Sequence, residues 1–132
     1  MRTLLLPLIL ASCAPAANST SPRPRPLAGT HWVLTTDGAA TAGAPTLEFR
    51  EAGRANGFTG CNQWFAQVDR SDGGLRFIAI GMTRRACEDP AMETEQAFAS
   101  VLQRAHAVQV HDNELTLTAE DGELLATFER AN

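Results

Sequence analysis

The stretch that decides the fold is Val108-Gln109-Val110-His111-Asp112-Asn113-Glu114-Leu115-Thr116-Leu117-Thr118-Ala119-Glu120-Asp121-Gly122-Glu123-Leu124-Leu125-Ala126-Thr127-Phe128. Apolar residues recur every second position at Val108 and Val110, at Leu115 and Leu117, and at Leu124, Ala126 and Phe128. Side chains on a strand alternate between faces, so each run predicts a half-buried strand. Asp112-Asn113 can turn the chain between the first two runs. Asp121-Gly122 is a strong hairpin signal between the second and third, because both residues tolerate the left-handed backbone of a tight turn. Three short strands joined by tight turns predict an antiparallel sheet.

The pattern extends upstream with one interruption. Ala91, Phe98, Val101, Leu102 and Ala105 recur at helical spacing, with Asp89 as the expected N-cap and Pro90 at the first helical position. Glu93 and Glu95 sit near the positive end of that helix. Before it, Leu75 to Ile80 reads as a strand with Leu75, Phe77 and Ala79 on one face. Arg76, Ile78 and Ile80 fall on the other, so a central strand is expected. Ser71-Asp72-Gly73-Gly74 breaks the chain ahead of it. Trp64 to Val68, Ala55 to Thr59, Thr46 to Arg50 and His31 to Thr36 read as further strands, and Asp37 to Gly43 as a loop. The fold class expected is α+β, mainly antiparallel β: a small barrel or roll of about seven strands with one covering helix.

Length and composition agree with one domain. The chain has 132 residues, 44% of them apolar and 20% charged, with a net charge of −4. All 11 basic residues are arginine. A nucleic-acid binder would usually carry a basic surplus, so that class is set aside. Residues 1–12 read as a leader: Arg2 supplies a positive start, and Leu4 to Leu10 form an apolar run. The run is shorter than the roughly 20 residues a membrane-spanning helix needs. Leu10-Ala11-Ser12-Cys13 resembles the bacterial lipoprotein signal, which implies acylation of Cys13 and cleavage before it. Residues 13–26 then form a lipidated, proline-rich tether, whose 13 residues beyond Cys13 reach at most ~40 Å at about 3.1 Å each. The folded domain is expected over 27–132.

Gly29-Thr30-His31-Trp32, Gly57-Phe58-Thr59-Gly60-Cys61-Asn62 and Met82-Thr83-Arg84-Arg85-Ala86-Cys87 follow in that order. Glu95, Phe98 and Leu102 come next in the helix, and Leu115-Thr116-Leu117 and Phe128 close the pattern. In this the chain resembles the META domain family, which includes HslJ-like heat-shock proteins. The motif residues are Gly60, Cys61, Asn62, Thr83, Ala86 and Cys87. Arg85 stands where family members often carry methionine, and Trp64 or Phe65 replaces the aromatic, commonly tyrosine, that tends to follow Gly-Cys-Asn. The resemblance implies a small β-rich fold with one helix, no catalytic residues, and an association with envelope stress.

Three cysteines then divide into one anchor, Cys13, and a pair, Cys61 and Cys87. In an oxidising compartment a disulfide between them is the natural reading. Two separately buried thiols, or a reactive or metal-binding pair, are the alternatives. His31, His106 and His111 show no recognisable arrangement with either cysteine, so neither a Cys-His hydrolase nor a zinc site is expected. Asp69 to Gly74 lacks the ligand alternation of a calcium loop and reads as a turn. No cofactor is expected.

Arg84 and Arg85 are expected to pair with Glu88, Asp89 or Glu95, the alternative being an acidic partner or lipid head groups. Trp32, Trp64, Phe65 and Phe77 would line the barrel interior, filled by side chains rather than open. The function expected is that of a non-enzymatic, lipid-anchored, monomeric cell-envelope protein, structural or stress-related, on the periplasmic face of the outer membrane. A carrier of a small apolar ligand, or a modulator binding another envelope protein, is the alternative.

Overall fold

A computed structural model describes residues 10–16 and 26–131. Most of the leader (1–9) and of the tether (17–25) lie outside the described residues. The elements run β1 (His31–Thr36), β2 (Ala39–Ala40), β3 (Thr46–Arg50), β4 (Arg54–Phe58), β5 (Gln63–Asp69), β6 (Arg76–Met82), α1 (Ala91–Arg104), β7 (Ala107–His111), β8 (Glu114–Thr118) and β9 (Leu124–Arg130). The expected antiparallel roll with one helix is what forms, with nine strands among the described residues rather than about seven. The additional pieces include the two-residue β2, which lies inside the stretch expected to be a loop and pairs with β1.

The sheet order is β6-β5-β4-β3-β1-β9-β8-β7, all pairs antiparallel. The first and last strands of this order, β6 and β7, do not pair along their lengths, yet the sheet curls until their ends meet. The Leu75 N–H donates to the His106 carbonyl at 2.9 Å there. Gly74 makes this approach feasible, because a Cβ on it would sit 2.5 Å from the same carbonyl. Helix α1 packs beside β6 and β9.

Three expectations are corrected. The strand from Leu75 is an edge strand, not a central one. Its two apolar faces arise from a bulge. Ala79 adopts φ 52°, and the register with β5 shifts between Phe65 and Gln67. Phe77 therefore points inward, Ala79 is exposed, and Ile80 returns half-buried. A bulge adds one residue on one strand and so inverts the period-two pattern beyond it. A second register shift, between Leu117 and Thr118 of β8, leaves Leu124 of β9 exposed while Ala126 and Phe128 stay buried. Third, Pro90 itself occupies the N-cap position of α1, and no side chain caps it. The first turn is held by backbone bonds instead, Met92 N–H to Glu88 and Thr94 N–H to Pro90.

The interior is filled by side chains. Trp32, Leu47, Leu75, Leu102, Leu115, Leu117 and Phe128 are fully buried. Aromatic rings run through the core from Phe49 to Phe77, Trp64, Phe98 and Phe128, with successive centroids 5.6–6.4 Å apart. Aromatic pairs at such distances add about 0.5–1.5 kcal/mol each beyond their buried area. Trp64 and Phe98 join the sheet to the helix in this chain. Of the four aromatics expected to line the interior, Phe65 is the exception. It lies 56% exposed on the outer face.

Candidate functional site

Where β4 turns into β5, Thr59-Gly60-Cys61-Asn62 forms a tight loop. The Thr59 N–H donates to the Asn62 carbonyl at 2.8 Å. The Thr59 hydroxyl oxygen accepts the N–H groups of Cys61 and Asn62 at 3.1 and 2.8 Å. A threonine side chain thus does locally what a strand partner would do. Gly60 adopts φ 104°, and a Cβ there would meet the Thr94 methyl of α1 at 2.8 Å. Glycine is required on both counts: the backbone angle is left-handed and the helix is close.

Asn62 is the hub. It is only 4% exposed, and its amide is fully used. Oδ1 accepts the Arg85 N–H at 2.7 Å and the Thr83 hydroxyl at 3.1 Å. Nδ2 donates to the Arg85 carbonyl at 3.0 Å and to the Glu95 carboxylate at 2.9 Å. The Thr59 hydroxyl donates to the same carboxylate at 2.8 Å. The Thr83 hydroxyl also accepts the Gln63 N–H, and the Thr83 N–H reaches the Gln63 carbonyl. Two loops distant in sequence and the first turns of α1 are thereby tied through one side chain. Among the described residues, no buried side-chain nitrogen or oxygen lacks a partner.

The disulfide closes the same junction. Cys61 and Cys87 are bridged, with Cα atoms 6.0 Å apart and a sequence separation of 26. This resolves the pairing left open by the sequence in favour of the bridge. Cys61 is buried, so the covalent tie runs just beneath the Asn62 network. Cys13 is the free cysteine among the described residues, and it is exposed.

The motif residues Gly60, Cys61, Asn62, Thr83 and Cys87 therefore converge on one polar and covalent node. Ala86 lies exposed beside it and contributes no side-chain hydrogen bond. Two residues at the node carry more than the sequence indicated. Thr59 is fully buried and organises the turn. Glu95 receives Asn62 and Thr59 rather than an arginine. The expected pairing of Arg84 and Arg85 with Glu88, Asp89 or Glu95 is absent among the described residues. Glu95 is occupied by hydroxyl and amide donors, and both guanidinium groups are left without an acidic partner.

The other candidates separate in space. His31 lies 3.4 Å from Glu48, and His111 lies 3.3 Å from its neighbour Asp112. His106 serves through its backbone at the sheet closure. No group of three histidine, cysteine, aspartate or glutamate side chains could hold a metal among the described residues. In the β5–β6 turn, Asp69 and Asp72 accept the N–H groups of Ser71 and Gly74. These bonds hold both carboxyls below the usual value of 3.8.

An antiparallel roll with one packed helix, pinned at one junction by a disulfide and a saturated asparagine, defines a small β-rich module of a specific kind. The META domain profile matches residues 25–132, and the chain belongs to the META domain family. A protein from Burkholderia xenovorans, solved by NMR, is similar at 27% identity over 96% of this chain and 99% of its own, with a TM-score of 0.63. A second NMR structure is 24% identical over 78% of this chain and 90% of its own, TM-score 0.61. A DUF4847 family protein from Bacteroides vulgatus shares the fold at 13% identity over 78% of this chain and 93% of its own, TM-score 0.57. None of the curated proteins matches the chain in sequence.

Proposed function

We propose that this META-family protein is a non-enzymatic, lipid-anchored component of the bacterial cell envelope, serving as a disulfide-locked structural module in the stress response. The observation that carries the reading is the division of its cysteines. Cys61 and Cys87 are bridged, which suits an oxidising compartment. Cys13 is free, exposed and preceded by Leu10-Ala11-Ser12. A diacylglyceryl group joined to the sulfur by a thioether, together with N-terminal acylation, gives the multiple chains that stable anchoring needs. Ala14 in place of an aspartate after the lipidated cysteine favours the outer membrane.

The non-enzymatic part rests on how the motif residues use their valences. Asn62, Thr59, Thr83 and Glu95 bond one another and the backbone, and both motif sulfurs are in the bridge. A carrier role has less support, since Trp32, Trp64, Phe98 and Phe128 occupy the interior where a ligand would sit. The test is metabolic labelling with radioactive palmitate followed by membrane fractionation. The chain should take up label and sediment with the outer membrane, whereas Cys13→Ser should lose both. Unlabelled wild-type chain in the soluble fraction would refute the anchor. Transcript levels after a temperature upshift test the stress role, and unchanged levels would remove it.

A further inference from the structure

The outer face of β3 to β6 carries a feature that the fold does not use. Phe65 and Ile78 are 56% and 43% exposed on neighbouring strands, where Gln67 pairs with Ile78. The Phe65 ring lies over Gly81, so closely that a Cβ there would collide with it. Phe65 forms a ridge between two shallow grooves. One is lined by Arg50 and Arg54, the other by Arg84, Arg85 and Met82. Arg54, Arg84 and Arg85 have no ion-pair partner among the described residues, while Arg50 pairs with Glu48. Glu95 is the one carboxylate lining either groove, and it is taken by Thr59 and Asn62. In a chain of net charge −4 this is a locally basic, partly apolar face.

The route of the chain indicates what covers it. The described domain resumes at Pro26, and the Gly29 N–H donates to the Phe49 carbonyl at 2.7 Å. The segment leading back to Cys13 thus joins the sheet beside Phe49, the residue before Arg50 of the first groove. Resting on the lipid-anchor reading above, we infer that this face docks on the anionic lipid surface to which Cys13 is anchored. Phe65 and Ile78 would enter the headgroup layer, and Arg54, Arg84 and Arg85 would meet lipid phosphates. Guanidinium groups suit this role because they bind phosphate through paired N–H donors. Anchoring raises the local concentration of the face at the membrane, so weak contacts suffice to orient the domain.

The test uses the full lipidated chain, reconstituted into vesicles of pure phosphatidylcholine or of equimolar phosphatidylcholine and phosphatidylglycerol. Amide exchange is followed across 63–69 and 76–87. Exchange there should slow in the anionic vesicles only, and the difference should fade as salt is raised from 0.1 M to 1 M, where the Debye length contracts from about 10 Å to about 3 Å. Combined Arg54→Gln, Arg84→Gln and Arg85→Gln should abolish the slowing without moving the thermal midpoint. Each arginine contributes roughly a fivefold preference at such a surface, on the order of 100-fold together.

Equal exchange in both vesicle types would overturn docking. So would protection that appears only when an acidic soluble protein is added, which would assign the face to a protein partner. A chain that fails to float with phosphatidylcholine vesicles lacks the anchor, and then the earlier reading fails alone. Docking is then read from flotation with the anionic vesicles, where no binding would overturn it.

Discussion

Asn62 shows how one buried amide can replace a length of secondary structure. Its Oδ1 accepts from Thr83 and Arg85, and its Nδ2 donates to the Arg85 carbonyl and to the carboxylate of Glu95. Changing the amide to a carboxylate keeps the shape and reverses this logic. Asn62→Asp should place two negative groups in contact and leave the Arg85 carbonyl and the Glu95 carboxylate without the donor they share, where a single buried unpaired group costs about 1–3 kcal/mol. Protonation relieves the repulsion. The thermal midpoint of the variant should therefore lie below wild type at neutral pH and close part of the gap as pH falls. A gap that does not depend on pH would contradict this account of the node. Two glycines supply a second contrast. A Cβ at Gly57 would strike the Thr46 backbone carbonyl and lie 2.8 Å from Trp64 Nε1, which donates to that carbonyl at 3.0 Å. A Cβ at Gly81 would strike only the exposed Phe65 ring. Backbone cannot move aside and an exposed ring can. Gly57→Ala should cost about 1–3 kcal/mol in denaturant unfolding, and Gly81→Ala measurably less.

At the scale of elements, the β6–α1 connection needs two ties because it has little apolar surface of its own. Residues 83–86 are exposed, yet the bridge and the Asn62 network hold them against the β4–β5 turn. Closing a loop across the sequence separation of 26 from Cys61 to Cys87 gives about 3.5 kcal/mol of loop-closure stabilisation. Combined Cys61→Ala and Cys87→Ala should lower unfolding stability by about that amount, against a typical domain total of about 5–15 kcal/mol. The variant should still fold with the same strand content, because the Asn62 bonds remain. Loss of the fold altogether would mean that the bridge, not the polar network, forms the junction. The two register shifts act at this scale as well. Each inverts the alternation within a strand, which is why Ala79 and Leu124 face solvent against expectation.

Over the whole molecule, curvature brings the two outermost strands together at one end only. Leu75 crosses the seam with its N–H on the His106 carbonyl. Thr83 directs its N–H to Gln63 on β5, so by alternation Met82 directs its own away from β5. In free protein the Leu75 amide, just ahead of β6, should exchange slowly and the Met82 amide at its far end should exchange faster. Equally slow exchange would show that the edge is covered along its length. The same open edge runs into Arg84 and Arg85, which follow β6 directly, and Phe65 lies one strand in from it.

The sequence by itself determined the antiparallel class, the single helix and the family, because period-two and period-3.6 apolar patterns and tight-turn residues are local signals. It also paired the motif segments Gly60-Cys61-Asn62 and Thr83 to Cys87 through their cysteines, although the bridge was one of several readings until the two came within reach. Only the tertiary structure decided which strand lies at an edge, since that depends on sheet order, and that Ala79 and Leu124 face solvent, since that depends on two one-residue bulges. It also decided that Glu95 serves Asn62 and Thr59 instead of Arg84 or Arg85. That choice depends on where the helix packs, and packing is settled by Trp64, Phe98 and Phe128 meeting in the core rather than by charge spacing along the chain.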